Sequence, residues 1–187
     1  MKKLAIAGIL LLSTSICLSQ ENLQEEEPEK RDITQNELSL NAFNLVSFGV
    51  IEVAYERVIS ENSTWAVEAF IHPNKEDYVD ELYYKDLSLT GKYKHFFSST
   101  YARGFYVNGF GMISSGEYET ESYWTDGDYI VETDDYADFA IGFGLGGKFV
   151  SSGGFLLDLN AGIGRNLLSN NSPTIVGQFM VNLGFRF

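Results

Sequence analysis

Thiol chemistry is almost absent from this sequence. Its single cysteine, Cys17, falls in an opening stretch that reads as a leader. The remainder therefore has no disulfide, no Cys-ligated metal and no thiol nucleophile. Imidazole is nearly as scarce, with only His72 and His95. Cations are few: Lys and Arg number 13 against 26 Asp and Glu. Such a surface repels nucleic acid, so no nucleic-acid partner is expected. Beyond the leader no run reaches the roughly eighteen straight apolar residues of a spanning helix.

The opening MKKLAIAGILLLSTSICLSQ has a basic start at Lys2 and Lys3, an apolar centre from Leu4 to Leu12, and small residues near Ser19. This is the pattern of a secretory signal peptide, too short for a membrane anchor. Cleavage is expected after Ser19. Ile16 before Cys17 is not the small residue that lipid attachment would want. Loss of Lys2 and Lys3 leaves a net charge of about −15. Residues 20–35 carry Glu21, Glu25, Glu26, Glu27, Glu29 and Asp32 around Pro28, and read as an acidic disordered linker.

From residue 36 to 187 the apolar period is two. In ADFAIGFGLGGKFV, Phe139, Ile141, Phe143, Leu145 and Phe149 share one face and Asp138, Gly142, Gly144, Gly146 and Lys148 the other. GFLLDLNAGIG and GQFMVNLGFRF repeat the pattern, as do segments around Val53, Val67 and Leu89. The faces of 104–113 are not fixed by alternation. The first segment, NELSLNAFNLV, slips near Phe43, where a bulge is expected. Eight strands result, joined alternately by short turns such as ISENS and SSG and by longer loops; a short connection near Ser47–Gly49 breaks this pattern. The prediction is an all-β, eight-stranded antiparallel up-and-down transmembrane β-barrel with both termini on the periplasmic side.

Alternation does not say which face is inside, since a soluble barrel would bury the apolar face. The polar face is rich in Gly, Ala and Ser, and its charges nearly balance. Glu52, Glu56, Glu68, Asp138 and Asp158 stand against Lys92, Lys94, Lys148 and Arg186. This is the lining expected of a narrow lumen whose charges pair. If the SSG turn sets register, Lys148 and Asp158 are diagonal neighbours. On the apolar face, Tyr55, Trp65, Phe97, Phe105, Phe149, Phe155 and Phe187 gather near the short turns, Phe105 only if its strand faces that way. They read as an interfacial girdle, apolar body toward lipid. In lipid the last strand must run its full length and close on the first.

The stretches NELSLNAFNLV, GVIEVAYERVISENSTWAVEAF and LGFRF, with EVAYER the most specific, resemble a Bacteroidetes-type family of small outer-membrane β-barrels of unknown function. The wider class is similar to OmpA- and OmpX-like transmembrane barrels. The resemblance covers most of residues 36–187 and implies the eight-stranded barrel. A terminal alternating strand ending in Phe187 also resembles the signal read by the barrel insertion machinery. The resemblance implies no site residues.

GFGLGGKF contains GxGxG, but no helix follows to supply a phosphate-binding N-terminus. Gly142, Gly144 and Gly146 instead leave room for large lumen side chains across the barrel. His95 falls at the short-turn end on the lipid face, and His72 beside Pro73 at the start of a long loop. Neither has a Ser or Glu at a spacing that singles it out, so no catalytic residue and no cofactor is assigned. The stretch SSGEYETESYWTDGDYIVETDDY has eight carboxylates interleaved with Tyr and Trp, and no Lys or Arg. It reads as a solvated hairpin extension available for recognition. Its DGD misses the EF-hand spacing, so Asp126, Asp128, Glu132, Asp134 and Asp135 are candidates only for weak divalent-cation binding. Arg165, on the lipid face at the long-loop end, could meet lipopolysaccharide phosphates or equally snorkel to water as a rim residue.

These readings lead to a non-catalytic, monomeric outer-membrane barrel with a filled lumen. Its partners are membrane lipid, lipopolysaccharide and, during biogenesis, the insertion machinery. The alternatives are binding or transport of a small ligand through the lumen, and a lipid-modifying enzyme.

Overall fold

Strand alternation sends every second side chain to one side of a sheet, and here eight such strands pair in chain order until the last meets the first. The computed structural model describes residues 36–73, 85–98, 100–125, 128–168 and 172–187. The strands are β1 (Asn36–Asn41), β2 (Ile51–Ser60), β3 (Ser63–Ile71), β4 (Leu87–Phe96), β5 (Gly104–Thr125), β6 (Asp128–Val150), β7 (Phe155–Asn166) and β8 (Ile175–Arg186). All pairs are antiparallel. Closure runs through Leu38 opposite Phe185 and Leu40 opposite Leu183. Asn36 and Phe187 exchange both backbone hydrogen bonds, at 3.1 and 2.8 Å. The all-β, closed eight-stranded antiparallel barrel expected from the period of two is thus the observed architecture. The leader and acidic linker read over 1–35 lie outside the described residues.

The outward face is the apolar one. Phe143 is 71% exposed, and Val67, Leu89, Leu145, Phe179 and Leu183 also point out. The inward face holds Glu37, Glu56, Lys94, Lys148 and Asp158, each no more than 4% exposed. The strand over 104–113, whose faces alternation left open, turns Phe105 and Val107 outward and Tyr106, Asn108, Phe110 and Met112 inward.

Three findings correct the sequence reading. First, the chain does not continue β1 past Phe43 with a bulge. It leaves the ladder at Asn41 and forms a helix, α1 (Ala42–Phe48), which also replaces the short connection expected near Ser47. Asn41 caps it by accepting from Asn44 N–H at 3.2 Å, and Gly49 ends it at φ 66°, a left-handed conformation that favours glycine. Second, the glycines of β6 make room for their nearest cross-strand neighbours rather than for residues across the barrel. Gly142 faces Phe110, Gly144 faces Asn108 and Gly146 faces Tyr106. A Cβ on Gly144 would stand 2.7 Å from the Ala161 carbonyl oxygen and 3.0 Å from Asn108 Nδ2. Third, Lys148 lies directly opposite Asp158, not diagonal to it.

The acidic stretch is not an irregular loop. β5 and β6 continue as a paired ribbon from Ser114 opposite Asp138 to Thr125 opposite Asp128, with one register shift between Glu119 and Glu121.

Candidate functional site

The lumen is where this chain concentrates its buried chemistry, and it is built in layers. At the short-turn end Val58, Phe96, Ala102 and Tyr106 form a buried apolar cluster. Ala102 belongs to the turn between β4 and β5, which folds beneath the opening. Tyr101 and Ala102 sit at φ 38° and 49°, a region that non-glycine residues rarely occupy. They are held by Ala102 N–H donating to the Glu61 carbonyl at 2.6 Å and by the Arg186 guanidinium donating to the carbonyls of Tyr101 (2.9 Å) and Ala102 (3.0 Å).

Above this cluster lies a continuous ionic chain. Arg186 Nε donates to Glu37 at 2.7 Å. Lys148 Nζ donates to Glu37 at 2.7 Å and also to Glu56. Lys94 Nζ donates to Glu56 and to Asp158, both at 2.7 Å. Tyr106 donates its hydroxyl proton to Asp158 at 2.7 Å, and Asn160 donates to the Tyr106 oxygen at 3.1 Å. Three carboxylates face three cations, drawn from six strands. Charges buried this deeply persist only when paired and hydrogen-bonded.

The next layer holds Lys92 Nζ 2.8 Å from Glu68, with Glu52 accepting from the amides of Asn41 and Asn44 at 2.7 Å each. Asp138, also buried and inward, anchors the β7–β8 connection. It accepts from Leu167 N–H (3.2 Å), Leu168 N–H (2.8 Å) and the Ser172 hydroxyl.

All nine charges assigned to the lumen from sequence are therefore inward and buried. Their pairing differs from the expectation: Lys148 and Asp158, although neighbours, join different partners. Sequence reasoning missed Glu37, although its parity opposite Leu38 marked it. It also missed Tyr106, whose strand had no assigned faces, and Lys85, which lies outside any alternating run.

The seven aromatics assigned to the girdle all point outward, with Tyr55 36% exposed and Phe97 65%. Phe105 shares this face and stacks on Phe97 with centroids 6.1 Å apart, and Tyr55 meets Trp65 at 5.9 Å. Arg165 is exposed at the long-loop end of β7, opposite Ile175. His95 is exposed beside Phe97, and His72 is buried with neither ring nitrogen hydrogen-bonded among the described residues.

Of the cation candidates, Asp126 lies outside the described residues. Asp128 and Glu132 fall in the ribbon ladder. Asp134 and Asp135 are exposed, and as consecutive strand residues they point to opposite faces. Among the described residues no group of three or more His, Cys, Asp or Glu gathers as a metal site.

No protein-family model, no curated protein and no solved structure matches this chain.

Proposed function

We propose that this protein is a non-catalytic outer-membrane barrel, sealed at its periplasmic end and presenting the β5–β6 ribbon outward for recognition. The observation that carries the reading is the reversal of faces. Large apolar side chains cover the outside while ionised ones are enclosed, the arrangement suited to a hydrocarbon solvent. A barrel dissolved in water would expose those aromatics at a cost of about 25 cal/mol per Å². In this reading lipid and lipopolysaccharide surround the wall, the outward aromatics lie at the headgroup boundary, Arg165 meets lipid phosphate, and the molecule is a monomer. In this reading both termini face the periplasm.

The plug bears on the alternatives. The ionic chain and the turn packed on Arg186 close the lumen, which argues against passage of solutes.

Comparison of boiled and unboiled outer-membrane fractions on a denaturing gel tests the assignment. A faster-migrating folded band confined to that fraction is expected. A protein recovered as a detergent-free soluble monomer overturns it. Planar-bilayer recordings are expected to show no steady conductance, and reproducible large channels would remove the sealed lumen from the reading.

A further inference from the structure

The long-loop half of the lumen is only partly filled by the described side chains. A cavity of about 330 Å³ lies there, between Met112, Ser114 and Tyr136 on one side and Val176 and Gln178 on the other. It also reaches Gly177 and the outward-facing residues Ile175 and Phe179.

That reach has a cause in the wall. β1 ends at Asn41 opposite Asn182, so β8 from Ile175 to Val181 has no ladder partner on this side. Odd-numbered residues of β8 aim their peptide groups toward β1. Phe187 exchanges bonds with Asn36, and Val181 N–H donates to Asn41 Oδ1 at 3.3 Å. The same parity turns the peptide groups of Phe179, Gly177 and Ile175 toward the missing partner. Asn41 Nδ2 serves the Phe179 carbonyl at 3.5 Å, and α1 covers the lowest part with Phe43 against Phe179, centroids 5.1 Å apart. At Gly177 and Ile175 the edge lines the cavity and has no partner among the described residues. Backbone left out of a ladder at membrane depth is tolerated only where it is buried in protein or lines a cavity.

The polar groups within are unusual. Lys85, 9% exposed, lines the cavity with no hydrogen bond or ion pair among the described residues; its Nζ lies 4.1 Å from the centroid of the Phe70 ring. The nearby carboxylates are engaged, Glu52 by two asparagine amides and Glu68 by Lys92. Gln178 Oε1 and Asn166 Oδ1, on residues of the same lining, are buried without a hydrogen-bond partner among the described residues. The remaining wall at Met112, Val176 and Phe179 is apolar.

We propose that this cavity binds a single-chain amphiphile with a carboxylate head, a fatty acid, its head at Lys85 and its chain leaving past the open edge of β8. One cation fits a monoanion, whereas a phosphate head calls for more donors than a lone ammonium offers. The volume is near the lower limit for small-molecule sites, about 300 Å³, which suits a head and part of a chain. The exit of the chain rests on the membrane reading above; the head site does not.

The test uses the full chain purified in non-ionic detergent, with the fluorescent fatty acid cis-parinaric acid. Saturable binding is expected, displaced by oleic acid and roughly tenfold less well by oleyl alcohol, a difference of about 1.4 kcal/mol. Lys85→Met is expected to weaken binding by roughly tenfold or more, and Lys85→Arg to retain it. Val176→Trp, which fills the cavity, is expected to abolish it. Absence of saturable binding, equal displacement by oleyl alcohol, stronger displacement by dodecyl phosphate, or wild-type affinity in Lys85→Met each overturns the proposal. The gel shift is run on every variant. An intact shift without binding removes this site alone, and binding without a shift removes the membrane reading and leaves the head site standing.

Discussion

Lys148 stands directly across from Asp158 on adjacent strands, yet its ammonium turns away to join Glu37 and Glu56 while Asp158 takes Lys94. The plug is therefore one interlocked chain rather than a set of local pairs. Removing Lys148 leaves Glu37 only Arg186 and Glu56 only Lys94, and the enclosed cluster one positive charge short. Lys148→Met is expected to destabilise the barrel by about 3–5 kcal/mol, the usual cost of breaking a buried pair. Unfolding by urea, followed by loss of the fast-migrating gel band, measures it. A change under about 0.5 kcal/mol, the range of ordinary surface substitutions, would mean the chain contributes little to stability.

The glycines of β7 and β8 predict a graded response. A methyl on Gly164 would stand 2.8 Å from both the Ile141 carbonyl oxygen and the Phe110 ring, and one on Gly177 meets nothing within 4 Å. Gly164→Ala is expected to cost about 1–3 kcal/mol through overpacking, and Gly177→Ala to stay within about 0.5 kcal/mol. Adding Phe110→Leu should relieve only part of the first effect, because the carbonyl stays in place. The same urea titration compares all three.

Phe143 separates lipid from water as the outer solvent. It is 71% exposed at mid-strand, between Gly109 and Ile163. In a bilayer Phe143→Arg is expected to cost about 2–4 kcal/mol. On a water-facing wall the same change would fall within about 0.5 kcal/mol. Equilibrium unfolding in phospholipid vesicles reads the difference.

The fatty-acid site has a pH signature. Burial pushes the Lys85 ammonium below its ordinary value. The groups facing it are Glu52 on β2, Glu68 on β3 and Lys92 on β4, with Tyr136 on the cavity wall. A bound carboxylate restores the charged form, so binding takes up a proton once the free protein has lost one. Affinity for cis-parinaric acid is therefore expected to fall by about tenfold per pH unit above the depressed value, beginning below the ordinary lysine range. Lys85→Arg, which does not titrate in this range, should flatten the profile. A flat profile in the unaltered protein would detach Lys85 from the head group.

Much of this was legible in the sequence because strand parity is a binary signal. Once Phe143 is known to face one way, Lys148 must face the other. Glu37 was readable by the same rule. What parity omits is angular position around the cylinder. Nothing local links Glu37 on β1 to Lys148 on β6, which meet across the lumen 111 residues apart. Helix α1 escaped for a different reason. Its seven residues are too few to display a 3.6-residue period, although Asn41 and Gly49 are ordinary start and stop signals. The cavity was out of reach because it follows from where β1 stops, not from any motif.

The ribbon formed by β5 and β6 runs about eleven residues past Ser114, roughly 35 Å at 3.3 Å per residue. Two strands standing free of a wall have two bare edges, and bare edges on neighbouring molecules invite each other to pair. The many carboxylates of this stretch, with no basic residue among them, make the ribbons mutually repellent. Acidification or a multivalent cation would weaken that repulsion. The same projection would then become a point of cohesion between neighbouring molecules.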